Sequence, residues 1–163
     1  MFEDIEKYLP TWRKRLEEEA AALERRRRAA EEAAGRMARI LGDEFEAERV
    51  FLVGSLLRPE AFGSHSDVDL IVVGLEPARY FKALSRIWKE LPKGMEVDLV
   101  PFEDADENLR TLALTEGLLL SHYQLSLSKR LGFLGSLDSE LLGSKIVETE
   151  KVLNGLIRAL RDD

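Results

Sequence analysis

The 163-residue chain contains no cysteine, which excludes disulfides, thiolate metal sites and a cysteine nucleophile, so any metal must be held by oxygen or imidazole ligands. With only two histidines, the supply of imidazole is small and the balance tips toward hard cations. No apolar run approaches the roughly 18 residues that span a bilayer, and the opening Met1-Phe2-Glu3-Asp4 is acidic where a signal peptide is basic. A cytoplasmic protein without a membrane partner is expected. Excess positive charge is also missing: the net charge of −7 argues against generic binding to duplex nucleic acid, whose affinity comes largely from Lys and Arg neutralising phosphates. There is no low-complexity linker and no internal repeat, and at 163 residues one ordinary domain with helical additions is expected.

What is present begins with a long Ala-, Glu-, Arg- and Leu-rich stretch. Thr11 is positioned to cap a helix that runs to about Leu41. Leu16, Leu23, Ala30 and Met37 recur every seven residues, with Ala20, Ala34 and Leu41 on the adjoining ridge, while Arg13 and Arg27 interrupt it; this predicts a narrow packing seam rather than a strong coiled coil. The segment "ERRRRAAEE" suggests nucleic acid, but Glu24 with Arg28, Arg27 with Glu31 and Arg28 with Glu32 are opposite charges four apart, which a solvated helix face explains.

Three short aliphatic runs follow, "RVFLVG" (49–54), "DVDLIVVG" (67–74) and "MEVDLVP" (95–101), each bounded by Gly or Pro and read as strands. Between the last two, "PARYFKALSRIWKEL" opens on Pro77 and carries Tyr80, Phe81, Leu84, Ile87, Trp88 and Leu91 at helical spacing, with Phe81 and Trp88 expected in the core. A further helix is expected from about Asp104 to Leu120 and a final amphipathic one from about Asp138 to Arg161. The expected division is an N-terminal helical segment over 1–42 packing on the core, a catalytic core over 43–120 and a C-terminal helical extension over 121–163. The fold class is α/β (α+β): a small mixed sheet flanked by helices.

The chemistry concentrates between residues 51 and 73. Side chains alternate along a strand, so Asp67 and Asp69 share a face and Val68 and Leu70 the other. Two adjacent carboxylates repel unless a divalent cation lies between them; oxygen donors favour Mg²⁺ or Mn²⁺, whose octahedron is completed by water and substrate phosphates. Asp98, a lone acid among Val97, Leu99 and Val100, is the expected third ligand on burial grounds, ahead of Glu96 beside the Lys93-Gly94 turn. At Gly54-Ser55, glycine permits close backbone approach, the following residues can open a helix whose amides attract phosphate, and the hydroxyl of Ser55 adds a donor. Arg58 adds a cation for phosphate or for transition-state charge. His65 reads as a solvated loop residue and His122 as a helix-end residue.

Gly54-Ser55, eleven intervening residues, Asp67-Val68-Asp69 and then Asp98 on a later strand resemble the signature of the nucleotidyltransferase superfamily that includes DNA polymerase beta and the kanamycin-type adenylyltransferases. Within it, "VGSLLRPEAFGSHSDVDLIVV" is most similar to the minimal nucleotidyltransferases, antitoxin partners of HEPN-domain toxins, over roughly residues 37–120. The resemblance implies a polymerase beta-like fold, a phosphate-binding corner at Gly54 and Ser55, and a metal-binding and catalytic trio of Asp67, Asp69 and Asp98. It also implies Arg58 and Ser66 as nucleotide-binding residues and two Mg²⁺ ions acting on ATP. It departs at Pro59, where the family usually has glycine after the arginine, which puts the loop conformation and the reach of Arg58 in question. The Arg-x4-His ribonuclease motif of HEPN toxins is absent, so the resemblance is to the transferase half.

The implied function is Mg²⁺-dependent transfer of a nucleoside monophosphate, AMP from ATP, to a hydroxyl acceptor on a HEPN toxin, with release of pyrophosphate. Two alternatives are an adenylyltransferase for small molecules or RNA ends, and a non-catalytic antitoxin that acts by binding. The leading and terminal helices could serve a homodimer or a toxin complex, or simply cover the sheet.

Overall fold

The computed structural model describes residues 3–122, together with 141–146 and 148–149. Ala-, Glu- and Arg-rich sequence forms helix α1 (Glu3–Phe45), which at about 1.5 Å per residue is some 65 Å long. It is longer at both ends than its sequence pattern indicates. Thr11 is not a cap: the helix starts eight residues earlier and includes Pro10, whose ring removes one backbone donor in the opening turns, far from the packed part. At the other end the chain leaves the helix through Glu46 at φ 60°, and the Ala47 amide donates to the Leu41 carbonyl at 3.0 Å.

The strands β1 (Arg49–Val53), β2 (Val68–Val73) and β3 (Val97–Pro101) form where aliphatic runs predict them. Between β2 and β3, a single 3-10 turn at Pro77–Arg79 leads into α2 (Tyr80–Ile87), and another closes it at Trp88–Glu90. After β3 come α3 (Glu107–Thr115), capped by the Asp106 carboxylate accepting from the Leu109 amide at 2.8 Å, and β4 (Leu118–His122). Spatial order is β3-β2-β1-β4, with β2 parallel to β3 and antiparallel to β1, and β1 antiparallel to β4. The result is the small mixed sheet flanked by helices that the sequence predicts.

Strand β4 replaces the last turn of the helix expected to reach Leu120. The helix ends at Thr115, the Gly117 amide folds back on the Leu112 carbonyl at 3.0 Å where a Cβ would sit 2.3 Å from the Ala113 carbonyl oxygen, and the apolar residues beyond pair with β1. His122 is therefore a strand-end residue opposite Arg49. The final helix expected from Asp138 lies largely outside the described residues, of which 141–146 and 148–149 are helical.

The alternation of each strand divides the core in two. Val50, Leu52, Val68, Leu70, Val72, Val97 and Leu99 face a cluster completed by Ala30, Ala33, Ala34, Met37, Ala38, Leu41 and Phe45 of α1 and by Ala83 and Ile87 of α2. Alanine lets α1 lie close to the sheet. On the opposite face Phe51, Val53, Ile71 and Val73 pack with Ala113 of α3 and, less completely, Val100, Leu109 and Leu112. The seam of α1 thus packs only from Leu23 onward; Leu16 and Ala20 are exposed.

Two aromatic expectations are corrected. Phe81 is 80% exposed and Trp88 50% exposed, because α2 turns Ala83 and Ile87 to the sheet, Phe81 falls on its outer side, and Trp88 stands in the 3-10 turn that follows. The arginine run behaves as a paired surface: Arg27 bonds Glu24 and Glu31, and Arg28 bonds Glu24 at 2.9 Å. The bond from Arg27, and then that from Arg28, holds the Glu24 carboxyl down to about 2. Arg26 reaches further, donating to the Gly94 carbonyl at 2.9 Å and tying α1 to the turn before β3.

Leu41→Ala is expected to destabilise the chain by about 2–5 kcal/mol, from lost burial and the cavity left behind. Phe81→Ala should stay within about 0.5 kcal/mol, as at an ordinary surface position. Urea unfolding of both variants checks this division of the aromatics and aliphatics.

Candidate active site

The acids lie on the α3 face of the sheet, toward the start of β2. Val53 pairs with Asp69 across β1 and β2, and Asp69 pairs in register with Asp98 across the parallel β2 and β3. The parallel register places these two side chains as direct neighbours on one face, and Asp67, just before β2, lies close enough for its charge to act on Asp69. Asp67 and Asp69 are half-buried.

Asp98 is exposed, which corrects the expectation that a buried charge marks it as a ligand. Strand β3 is the edge of the sheet, and the α3 side of its first residues is open, so a carboxylate there meets water. Register, not burial, brings Asp98 into the site: it stands beside Asp69. Glu96, also exposed, lies before β3 begins, where its carbonyl accepts from the Val68 amide at 3.1 Å.

Burial pushes the Asp69 carboxyl up to about 6, with the charges of Asp98 and then Asp67 adding to the shift. Among the described residues, no positive charge offsets these effects at Asp69. Among the described residues no three acidic or imidazole side chains already stand together as a finished metal cage. The donor chemistry nevertheless fits a divalent cation: the oxygens are hard, the set is acidic, and ionised Asp69 needs a counter-charge.

Gly54 completes one side of the site. It adopts φ +80°, and a Cβ on it would lie 2.0 Å from the Asp69 Oδ2, so backbone presses directly on the carboxylate. Only glycine satisfies both conditions. From it the chain enters a four-residue 3-10 turn, Gly54–Leu57, in place of the longer helix expected there. Ser55 lies in this turn, and the Arg58 amide donates to the Ser55 carbonyl at 3.0 Å.

Arg58 itself is exposed. It lines a recess of about 220 Å³ together with Val53, Gly54, Leu57, Leu112, Glu116 and Gly117. Glu116 and Gly117 were not singled out from sequence; they arrive because the chain turns from α3 into β4 beside Gly54, and no local motif announces that. Ser66 acts first within its own loop, its Oγ accepting from the Gly63 amide at 2.9 Å, which organises the approach to Asp67. His65 is exposed in the same loop. A larger cavity of about 630 Å³, lined by Gly74, Tyr80, Phe81, Glu103 and neighbours, lies at the other end of β2, away from the acids. Size does not locate the chemistry here.

Without metal, the folded chain retains the Asp69 proton up to about pH 6, whereas an unfolded aspartate loses it near 4. Stability relative to an Asp69→Asn variant is therefore fully kept below about pH 4 and lost as pH rises through about 6. Thermal melts should show the variant gaining on the wild type across this window. At pH 7.5, Mg²⁺ or Mn²⁺ should raise the melting temperature of the wild type and leave that of Asp69→Asn nearly unchanged.

Residues 35–120, more than half of the chain, match the family model described as the nucleotidyltransferase domain. No curated protein sequence matches the chain. Among solved structures, it resembles a mutant of the toxin–antitoxin MntA–HpeT, at 19% identity and a TM-score of 0.45 over 80% of this chain and 96% of that one. It also resembles a toxin–antitoxin with AMP-PNP, at 22% identity and a TM-score of 0.43 over 77% and 92% of the two chains. A third is a complex of tri-AMPylated Shewanella oneidensis HEPN toxin with MNT antitoxin, at 20% identity and a TM-score of 0.43 over 82% and 97%. No helix among the described residues is long and apolar enough to cross a membrane. By the match over more than half of its length, the chain belongs to the nucleotidyltransferase domain family.

Proposed function

We propose that the chain transfers a nucleoside monophosphate, AMP from ATP, to a hydroxyl group on a partner protein of the HEPN toxin type, as a minimal nucleotidyltransferase of the antitoxin kind. The observation that carries this reading is the register of Asp69 against Asp98, with Asp67 alongside and the Gly54 backbone pressed against Asp69. Family membership supports the reaction class, and the sequence resemblance of residues 51–73 supports the antitoxin assignment.

In this reading Asp67, Asp69 and Asp98 would hold Mg²⁺ or Mn²⁺, two ions in all, whose charge offsets that of the triphosphate when bound. The Gly54-Ser55 turn offers a backbone free of side-chain obstruction and a hydroxyl to the phosphates, Ser66 fixes the loop that leads to Asp67, and Arg58 meets charge developing on the α-phosphate. The acceptor oxygen forms a bond to the α-phosphorus, the bond from that phosphorus to the bridging oxygen breaks, and pyrophosphate leaves. A carboxylate oxygen of Asp98, exposed beside Asp69, takes the hydroxyl proton.

A contact-only antitoxin is the second reading. It draws on the absence, among the described residues, of three ligands already gathered, and on Pro59 following Arg58.

Co-expression with the protein encoded beside it, followed by Mg²⁺ and ATP labelled at the α- or γ-phosphate, separates the two. α-Label is expected on the partner, γ-label in pyrophosphate, and neither after Asp67→Asn with Asp69→Asn. Label in RNA or a small molecule would move the acceptor. No transfer, with partner binding that survives the double substitution, would establish the contact-only reading. Gly54→Ala, which drives a methyl group into Asp69, is expected to lower transfer by at least about 100-fold, the scale of a misplaced reacting group.

A further inference from the structure

The apolar stripe of α1 is continuous, but only part of it is used. From Ala30 to Phe45 it is buried against the sheet, whereas every residue from Leu9 to Ala22 is exposed. On this bare half Leu9 is 44% exposed, Trp12 62% and Leu16 59%. At about 100° per residue these three fall on the same side of the helix as Ala20, Leu23, Ala34 and Leu41. Nothing in the described part of the chain covers them.

The charges around this patch are ordered. Arg13, Lys14 and Arg15 precede Leu16, and Glu17, Glu18 and Glu19 follow it. Arg13 and Glu17 lie on one flank of the stripe, and Arg15 and Glu19 on the other. Within one chain Lys14 reaches Glu18 at 3.9 Å and Arg15 reaches Glu19 at 2.9 Å, both highly exposed pairs that contribute little alone. A parallel copy would bring base against base and acid against acid. An antiparallel copy, turned about a twofold axis near Leu16, brings Arg13 toward Glu17 of the second copy on one flank and Arg15 toward Glu19 on the other, each contact occurring twice. Leu9 then approaches Leu23 of the second copy, and Trp12 lies over the small Ala20 region.

We infer that the N-terminal half of α1, residues 9–23, is an antiparallel self-association surface whose occupant is a second copy of this chain. The apolar stripe supplies the burial, and the basic-then-acidic order fixes direction. The contact ends where Arg26 binds Gly94 and the stripe enters its own domain.

Sedimentation velocity over a concentration series should show a monomer–dimer equilibrium for the full chain, abolished by Leu16→Asp, an exposed position whose change leaves the circular dichroism spectrum intact. Arg13→Glu with Arg15→Glu should be monomeric, as should Glu17→Arg with Glu19→Arg, and mixing the two should restore a dimer. Because the chain has no cysteine, Leu9→Cys and Leu23→Cys variants can be joined by a short bismaleimide. Linking is expected when they are mixed and not for Leu9→Cys alone, whose two copies would stand about 20 Å apart along the axis.

Self-linking of Leu9→Cys, a dimer indifferent to Leu16→Asp, or a monomer at every concentration would each overturn the inference. A monomer in which Trp12 is shielded from quencher in a Trp88→Phe background would assign the patch to the chain's own C-terminal segment. Dimerisation appearing only after a foreign protein binds would assign it to that partner.

Discussion

The crowding of negative charge at Asp69 is the constraint on which the rest of the architecture depends. Its carboxylate lies beside Asp98 on the neighbouring strand and near Asp67 just before its own, half-buried, with the Gly54 backbone against it. Burial and like charge both favour the protonated form, and the proton is held to about pH 6. A carboxyl perturbed in this way, by burial together with specific neighbouring charges, marks a candidate functional position. The helices have to leave that place open.

They do so by taking unequal shares of the sheet. A parallel β2–β3 pair requires a crossover, and α2 supplies it on the face that α1 already covers. The thick layer therefore lies on one side. The other face carries α3, nine residues long, packed over Phe51, Val53 and Ile71. Among the described residues α3 does not reach over Asp98, and edge strand β3 lets that carboxylate meet water. The register that brings Asp98 to Asp69 is thus a consequence of the crossover, and the openness around it a consequence of where the sheet ends.

Strands β1 to β3 were legible because each is a short aliphatic run bounded by Gly or Pro, and alternation assigns Asp69 to the face of Val53 and Ile71, whereas Asp67 lies just before β2, where alternation no longer applies. The pairing of Asp69 with Asp98 was not: it depends on strand direction and register, which are set by tertiary contacts. Burial misled in two directions. Asp98 reads as costly inside an aliphatic strand, yet the strand is an edge, while Phe81 and Trp88 read as core although the buried face is that of Ala83 and Ile87. Strand β4 was hidden because Leu118, Leu119 and Leu120 fit a helix as well as a buried strand, and Gly117 separates the two readings only once the carbonyl of Ala113 is known to stand behind it. Ser66, recognised by its place before the acid pair, binds its own loop through Gly63, a local interaction that leaves its hydroxyl hydrogen available.

Helix α1 shows how one periodic pattern can serve two ends. Its apolar stripe keeps a single phase for the whole length, but composition changes along it: alanine and Met37 where the sheet must approach closely, then Leu9, Trp12 and Leu16 where larger side chains project into solvent. Close packing wants small residues and a docking edge wants large ones. Because α1 lies on the face of Leu52 and Leu70, and the acids on the face of Val53 and Ile71, a second molecule held by the bare half of the helix attaches to the layer that the site does not use. Association through α1 and access to Asp69 are therefore separable properties, and charge reversal on the helix changes the first without touching the second.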